Sequence, residues 1–136
     1  MELEGELPAA AASRLNGQER MERRIRLRHA ADFARMRQAS RSWSDRLVVL
    51  VARPNELHLT RIGIIASRKL GKAAARNRAR RLLREAARRL HPCLAPGWDL
   101  LFIARPDILE VKEPQVESAL AKLASQAGLM AEEHTQ

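Results

Sequence analysis

The sequence predicts an α+β fold, a single two-layer sandwich of one mixed sheet with helices packed on it. Three observations predict it. Apolar, β-branched runs of strand length occupy residues 47–53, 57–67 and 98–105. Residues 72–90 repeat their apolar positions with a helical period, and residues 114–128 do so again. The resulting order is α, β, β, α, β, α, with room for one short extra strand at 41–46. A chain of 136 residues holds one domain with a modest core.

Each element has its own signal. Residues 29–38 place Ala30, Phe33 and Met36 or Arg37 three and four apart, which predicts a short helix with a small apolar stripe. Residues 47–53 form the first long strand, Pro54-Asn55-Glu56 is a turn signal, and Ile62, Ile64 and Ile65 mark the second, so the pair predicts an antiparallel hairpin. The helix at 72–90 stops at His91-Pro92, followed by a loop through Pro96-Gly97. Residues 98–105 predict a buried strand that Pro106 ends. Phe102 and Trp98 are then core residues, while Trp43 has no evident assignment. Val116, Leu120, Leu123 and Ala127 recur at four, three and four, predicting a last helix that starts near Pro114 and stops at Gly128. Residues 23–128 form the expected domain, flanked by a disordered tail at 1–22 and a flexible one at 129–136.

Charge narrows the function. The net charge is +9, and residues 1–20 carry Glu2, Glu4, Glu6 and Glu19 against Arg14 and Arg20, so residues 21–136 hold +11. A domain that basic favours nucleic acid or an anionic membrane surface. Its longest apolar run, residues 47–52, is far shorter than the roughly 20 residues that span a bilayer. The acidic start lacks the basic n-region of a secretory signal, and Cys93 is the single cysteine, so a cytoplasmic binder is expected. Met21 opens the basic part and is a candidate start of translation; intact mass of the natively expressed protein decides that.

Residues 61–89 hold eleven Lys or Arg against one acid, Glu85. At about 100° per residue, Ala79, Leu82, Leu83, Ala86 and Leu90 fall within one arc that faces the sheet. Asn77, Arg81, Arg84 and Arg88 lie opposite, with Arg76 and Arg80 bordering one side of the stripe and Arg78 and Arg89 the other. A merely solvated helix face would mix Lys with several Glu at i to i+4. Arginine forks suit phosphate and stack on unpaired bases. Before the helix, Arg68, Lys69, Gly71 and Lys72 approach its N-terminus, where N–H groups and the dipole favour a phosphate, and Gly71 permits a positive φ.

Ser67-Arg68-Lys69, Gly71, Ala73, then Arg76-Asn77-Arg78, Arg80-Arg81 and Arg84-Glu85 together resemble the signature of the bacterial ribonuclease P protein subunit. The resemblance extends to Leu27-Arg28 followed by Asp32-Phe33, to residues 61–63, and to Ile103-Ala104-Arg105, covering about residues 23–126. It implies a subunit of the ribonucleoprotein that removes the 5′ leader of precursor tRNA. The RNA subunit would hydrolyse the phosphodiester with its own bound Mg²⁺, and the protein would supply no catalytic group and hold no metal. No membrane and no further protein partner is implied. The scattered His29, His58, His91 and His134 and the lone Cys93 agree, having no metal-ligand spacing.

By the same resemblance, the expected RNA contacts are Arg68, Lys69, Lys72, Arg76, Asn77, Arg78, Arg80, Arg81, Arg84 and Arg88. The leader would lie between the first helix and the sheet, at Phe33, Arg37, Val51 and Arg53. Phe33 has a second reading, as a core residue under its helix. Relatives carry further aromatics where this chain has Arg37 and Val51; Arg37 can stack as a planar cation. With four aromatic residues in the chain, an RRM-like stacking platform is disfavoured. The resemblance further implies a left-handed crossover through the Arg-rich helix, against the general right-handed rule. Two other readings compete on sequence, a helix-turn-helix DNA regulator and a ribosomal or ribosome-assembly RNA-binding protein. The first needs a helix where residues 57–67 read as strand.

Overall fold

A computed structural model describes residues 23–38 and 40–131. The expected tail at 1–22 and the candidate start Met21 lie outside the described residues. The elements are α1 (Ala30–Arg35), β1 (Arg41–Ser44), β2 (Val48–Pro54), β3 (Arg61–Ile65), α2 (Ala73–Leu90), β4 (Trp98–Ala104) and α3 (Glu113–Gln126). Single 3₁₀ turns at Arg68–Leu70, His91–Cys93 and Pro106–Glu110 link them. The extra strand is thus present, as β1.

One four-stranded mixed sheet has the order β1-β2-β4-β3. The expected hairpin of β2 with β3 is not formed: β4 lies between them, antiparallel to β2 and parallel to β3. The cause is visible in β4, whose Leu100, Leu101 and Phe102 are all buried and therefore point apolar side chains to both faces. Apolar on both faces, the strand suits the middle of the sheet, where other elements cover it above and below. The connection at 55–60 is held by the Asn55 side chain, which donates to Leu59 O (3.1 Å) and accepts from Leu57 N (2.7 Å), with Glu56 at φ 63°. The tight hairpin is instead β1 with β2, where Trp43 pairs with Leu50 and packs beside the core.

Alternation divides the sheet into two faces. Val48, Leu50 and Ala52 of β2, Ile62 of β3 and Leu100, Phe102 and Ala104 of β4 meet α2 and α3 in the main core. Val116, Ala119, Leu120, Leu123 and Ala124 supply α3's side, and α2 supplies Ala79, Leu83, Ala86, Ala87 and Leu90. The other face carries Val49, Val51 and Arg53, Asp99, Leu101 and Ile103, and Arg61, Gly63 and Ile65, covered only in part by α1. Ile25 and Leu27 run along the outer edge of β3, through Ile62 N to Ile25 O (2.6 Å) and Leu27 N to Ile62 O (2.8 Å).

The C-terminal boundary needs correcting. Leu129 and Ala131, placed by the sequence reading in a flexible tail, are buried. Gly128 at φ 75° turns the chain back, so that Leu129 O accepts from Ala95 N (2.8 Å) and Ala131 N donates to Cys93 O (2.9 Å). The remaining residues, 132–136, lie outside the described ones.

Candidate nucleic-acid interface

The helix α2 carries seven arginines and one glutamate over 18 residues. Ser67 begins its approach by accepting from Lys69 N (3.3 Å), and Gly71 at φ 119° turns the chain into the helix. Arg68, Lys69 and Lys72 stand exposed before the first turn. Together with Arg76 and Arg81 they make no side-chain hydrogen bond or ion pair among the described residues. Arg80 donates to Asn77 Oδ1 (2.7 Å), which splays both groups along one flank.

The phase of α2 differs by a small roll from the expected one. Ala87 is buried where Leu82 was expected, and Leu82 is half-exposed. Ala86 and Ala87 both face inward, and Leu82 packs only at the margin of the core. As a result Asn77 and Arg81 do face outward, but Arg84 and Arg88 do not stand opposite the core. With Arg80, four and eight residues earlier, they form a row lining a cleft whose floor and far wall are Ile25, Leu27, Phe33, Ile62 and Ile64.

Partners inside the protein sort the remaining arginines. Arg78 donates to Leu109 O (2.9 Å) and ties α2 to the 3₁₀ turn before α3. Glu85 accepts from Arg88 (2.5 Å) and Arg89 (3.1 Å), and Arg89 also reaches Glu117 (3.1 Å). Burial pushes the Glu85 carboxyl up, but these arginines outweigh it and hold it below the ordinary carboxylate range. Arg84 Nε is buried with no hydrogen-bond partner among the described residues. Across the cleft, burial first, and then the charges of Arg84 and Arg28, push the Arg26 guanidinium down to about 10. Cations gathered in a partly dry cleft favour an anion there.

Arg23, Arg24, Arg26 and Arg28 continue this field into a hollow shared with His29, Asp32 and Arg61. Sequence reasoning identified the arm as basic but gave no role to Asp32, Arg61 or Asp99. Asp32 and Asp99 are 5% and 3% exposed. Arg61 donates to both oxygens of Asp99 (3.0 and 2.9 Å), and lies 3.6 Å from Asp32. The hydrogen bond to Asp99, opposed by burial and aided by both carboxylates' charges, holds Arg61 above its ordinary range. The available signal was an aspartate inside an otherwise apolar strand.

The four residues expected at the leader are not equivalent. Phe33, half-buried, packs over Gly63, and Val51 is half-buried on the same open face of the sheet. Arg37 is exposed beyond the end of α1. Arg53, two residues after Val51, donates through Nη1 to Arg35 O (2.5 Å) and Gln38 O (3.3 Å). Among the described residues, no cluster of three His, Cys, Asp or Glu could hold a metal ion, and no helix is long and apolar enough to cross a membrane.

Comparison with known proteins agrees with this geometry. Residues 21–128 match the family described as Ribonuclease P. The ribonuclease P protein component of Roseiflexus castenholzii is 41% identical over 111 residues, covering 81% of this chain and 91% of that protein. That of Chloroflexus aggregans is 42% identical over 117 residues, with 85% and 87% covered. Among solved structures, a Staphylococcus aureus RNase P protein mutant superposes with TM-score 0.74 at 28% identity, covering 82% of this chain and 95% of that one. The RNase P protein from Thermotoga maritima gives TM-score 0.68 at 31% identity, covering 74% and 96%. With the R-N-R helix, the mixed sheet and the matched family coinciding over the same residues, the chain belongs to the ribonuclease P protein family.

Proposed function

We propose that this chain, as the protein subunit of ribonuclease P, binds the RNA subunit through the exposed flank of α2 and holds the 5′ leader of precursor tRNA along the open face of the sheet. The observation that carries the reading is the distribution of cations on α2. Arg68, Lys69, Lys72 and Arg81 are exposed with half-buried Arg76 beside them, none with a side-chain partner among the described residues, while Arg80, Arg84 and Arg88 line the cleft toward Phe33. A polyanion fits the first set. The second, beside an aromatic ring and isoleucines, suits a single strand whose bases are unstacked.

Hydrolysis is assigned to the RNA subunit and its Mg²⁺, with this chain contributing position and charge. Exposed arginines on α2 neutralise phosphates that would otherwise repel each other when leader and catalytic RNA converge. Phe33, Val51 and Arg37 offer the leader an apolar and cationic floor. The working compartment in this reading is the cytoplasm.

The test is reconstitution. The protein alone should cleave nothing; added to its RNA subunit it should lower the Mg²⁺ needed to process precursor tRNA. An RNA whose Mg²⁺ requirement does not move ends the proposal. If roughly six basic groups meet phosphates, log affinity should fall with log salt at a slope of about −4 to −5.

A further inference from the structure

We infer that Arg53 and Arg61 are positioning residues that strap α1 across the open face of the sheet and thereby set the leader groove, without contacting RNA themselves. The inference rests on the leader reading above. In the register of the sheet, Arg53 of β2 and Arg61 of β3 both pair with Asp99 of β4, so the three form one row across the sheet. That row lies on the face that α1 covers. Arg53 takes the helix's C-terminal end, donating to the carbonyls of Arg35 and Gln38. Arg61 takes its first turn, through an ion pair with Asp32 (3.6 Å), whose carboxylate also accepts from Arg35 of the same helix. Asp99 at the centre also accepts from Asn55 (2.9 Å), so the carboxylate that anchors Arg61 is itself held.

The chemistry explains why a strap is needed. A helix of six residues has too few internal hydrogen bonds to persist alone. Its exposed C-terminal carbonyls carry partial negative charge, which a guanidinium both satisfies and neutralises. Arg61, clamped between two buried carboxylates, has its charge compensated locally and offers little to a phosphate. Phe33 sits on α1 between these two anchors. Its height above Gly63, and the opening toward Val51, therefore depend on groups that never meet the leader. This reassigns Arg53 from the leader contact that the family resemblance implies to support of the groove's wall.

The experiment uses the reconstituted holoenzyme and measures affinity for precursor tRNA and for mature tRNA across a salt series. The leader advantage is the ratio of the two. For Arg53→Ala the advantage should fall about 5-fold or more while the salt slope stays at the wild-type value, because no phosphate contact is lost. Arg53→Lys, which keeps a donor, should recover part of it. Asp32→Asn is the sharper arm, since it makes the protein more positive yet should also lower the leader advantage. Assembly of each variant with the RNA subunit is measured first, because an unfolded protein would lose the leader advantage for that reason alone; an assembled Arg53→Ala or Asp32→Asn enzyme whose ratio is unmoved would count against the strap. So would a slope shallower by about 0.7 in Arg53→Ala, the mark of a lost single-strand phosphate contact, or tighter leader binding by Asp32→Asn. If Arg53→Ala fails to assemble, Arg53→Lys and Asp32→Asn decide. A wild-type enzyme without any leader advantage would overturn the leader reading first, and the strap with it.

Discussion

The ring edge of Phe33 stands over Gly63, 3.1 Å from where a β-carbon on that glycine would lie. The same point is 3.1 Å from Leu101 and 3.2 Å from Leu27, so three side chains close over a strand position that has none. Phe33 is thus packed at its edge, as a core residue would be, while its body lines the cleft.

Gly63→Val should overfill this site. The expected cost is about 1–3 kcal/mol of stability, read as a lower urea midpoint. Phe33 must move outward, so the holoenzyme's preference for precursor over mature tRNA should drop as well. Wild-type stability in the variant would show that the space over Gly63 is not closed.

The roll of α2 can be checked by two neighbouring truncations. Leu83 is fully buried and Leu82 only partly. Leu83→Ala should cost about 2–5 kcal/mol, and Leu82→Ala about 1 kcal/mol. Equal losses in denaturant titrations would restore the phase read from sequence.

Glu85 stabilises α2 only while ionised. Its carboxyl is held below the ordinary value of 4.5, so the unfolded chain binds the proton more readily than the folded one. Its contribution is then complete above that value and is lost as pH falls through the depressed folded one. The side chain is 37% exposed, and screening by water keeps the contribution near 0.5 kcal/mol. Glu85→Gln should be less stable by about that amount at pH 7, and the two proteins should converge below the ordinary glutamate range. A gap that persists in acid would mean that the loss is not ionic.

Asn77 and Arg81 are exposed, so Asn77→Ala with Arg81→Ala should leave stability within about 0.5 kcal/mol. Affinity for the RNA subunit should fall, with the salt slope shallower by about 0.9 for the one lost cation if the contact is to duplex phosphate. Unchanged affinity would count against α2 as the docking surface.

Much of the architecture was legible in the chain. The helix expected at 72–90 begins one residue later, because Lys72 is its N-cap, and the strand at 98–105 ends one residue sooner, at Ala104. These elements announce themselves through local patterns: a long amphipathic period, and an apolar run stopped by Pro106. What stayed hidden was pairing. Two apolar strands joined by Pro54-Asn55-Glu56 read as a hairpin, since nothing within either strand says that a third, beginning only at Trp98, will separate them. The site shows the same division. The outward Asn77 and Arg81 follow from helical phase alone. The role of Arg53, by contrast, depends on carbonyls of α1, and that of Arg61 on carboxylates from α1 and β4, which only the folded chain brings near.

The central place of β4 has a further consequence, for the making of the protein. Until residues 98–104 have emerged from the ribosome, β2 and β3 have no strand to join them, and the arginine-rich helix has no complete sheet to lie on. Such long-range, partly parallel pairing is slow relative to local helix formation. A nascent chain stopped before Trp98 would display its most basic segment with its apolar side uncovered, in a cell crowded with RNA. Completion of one late strand is thus what turns a sticky polycation into a selective one.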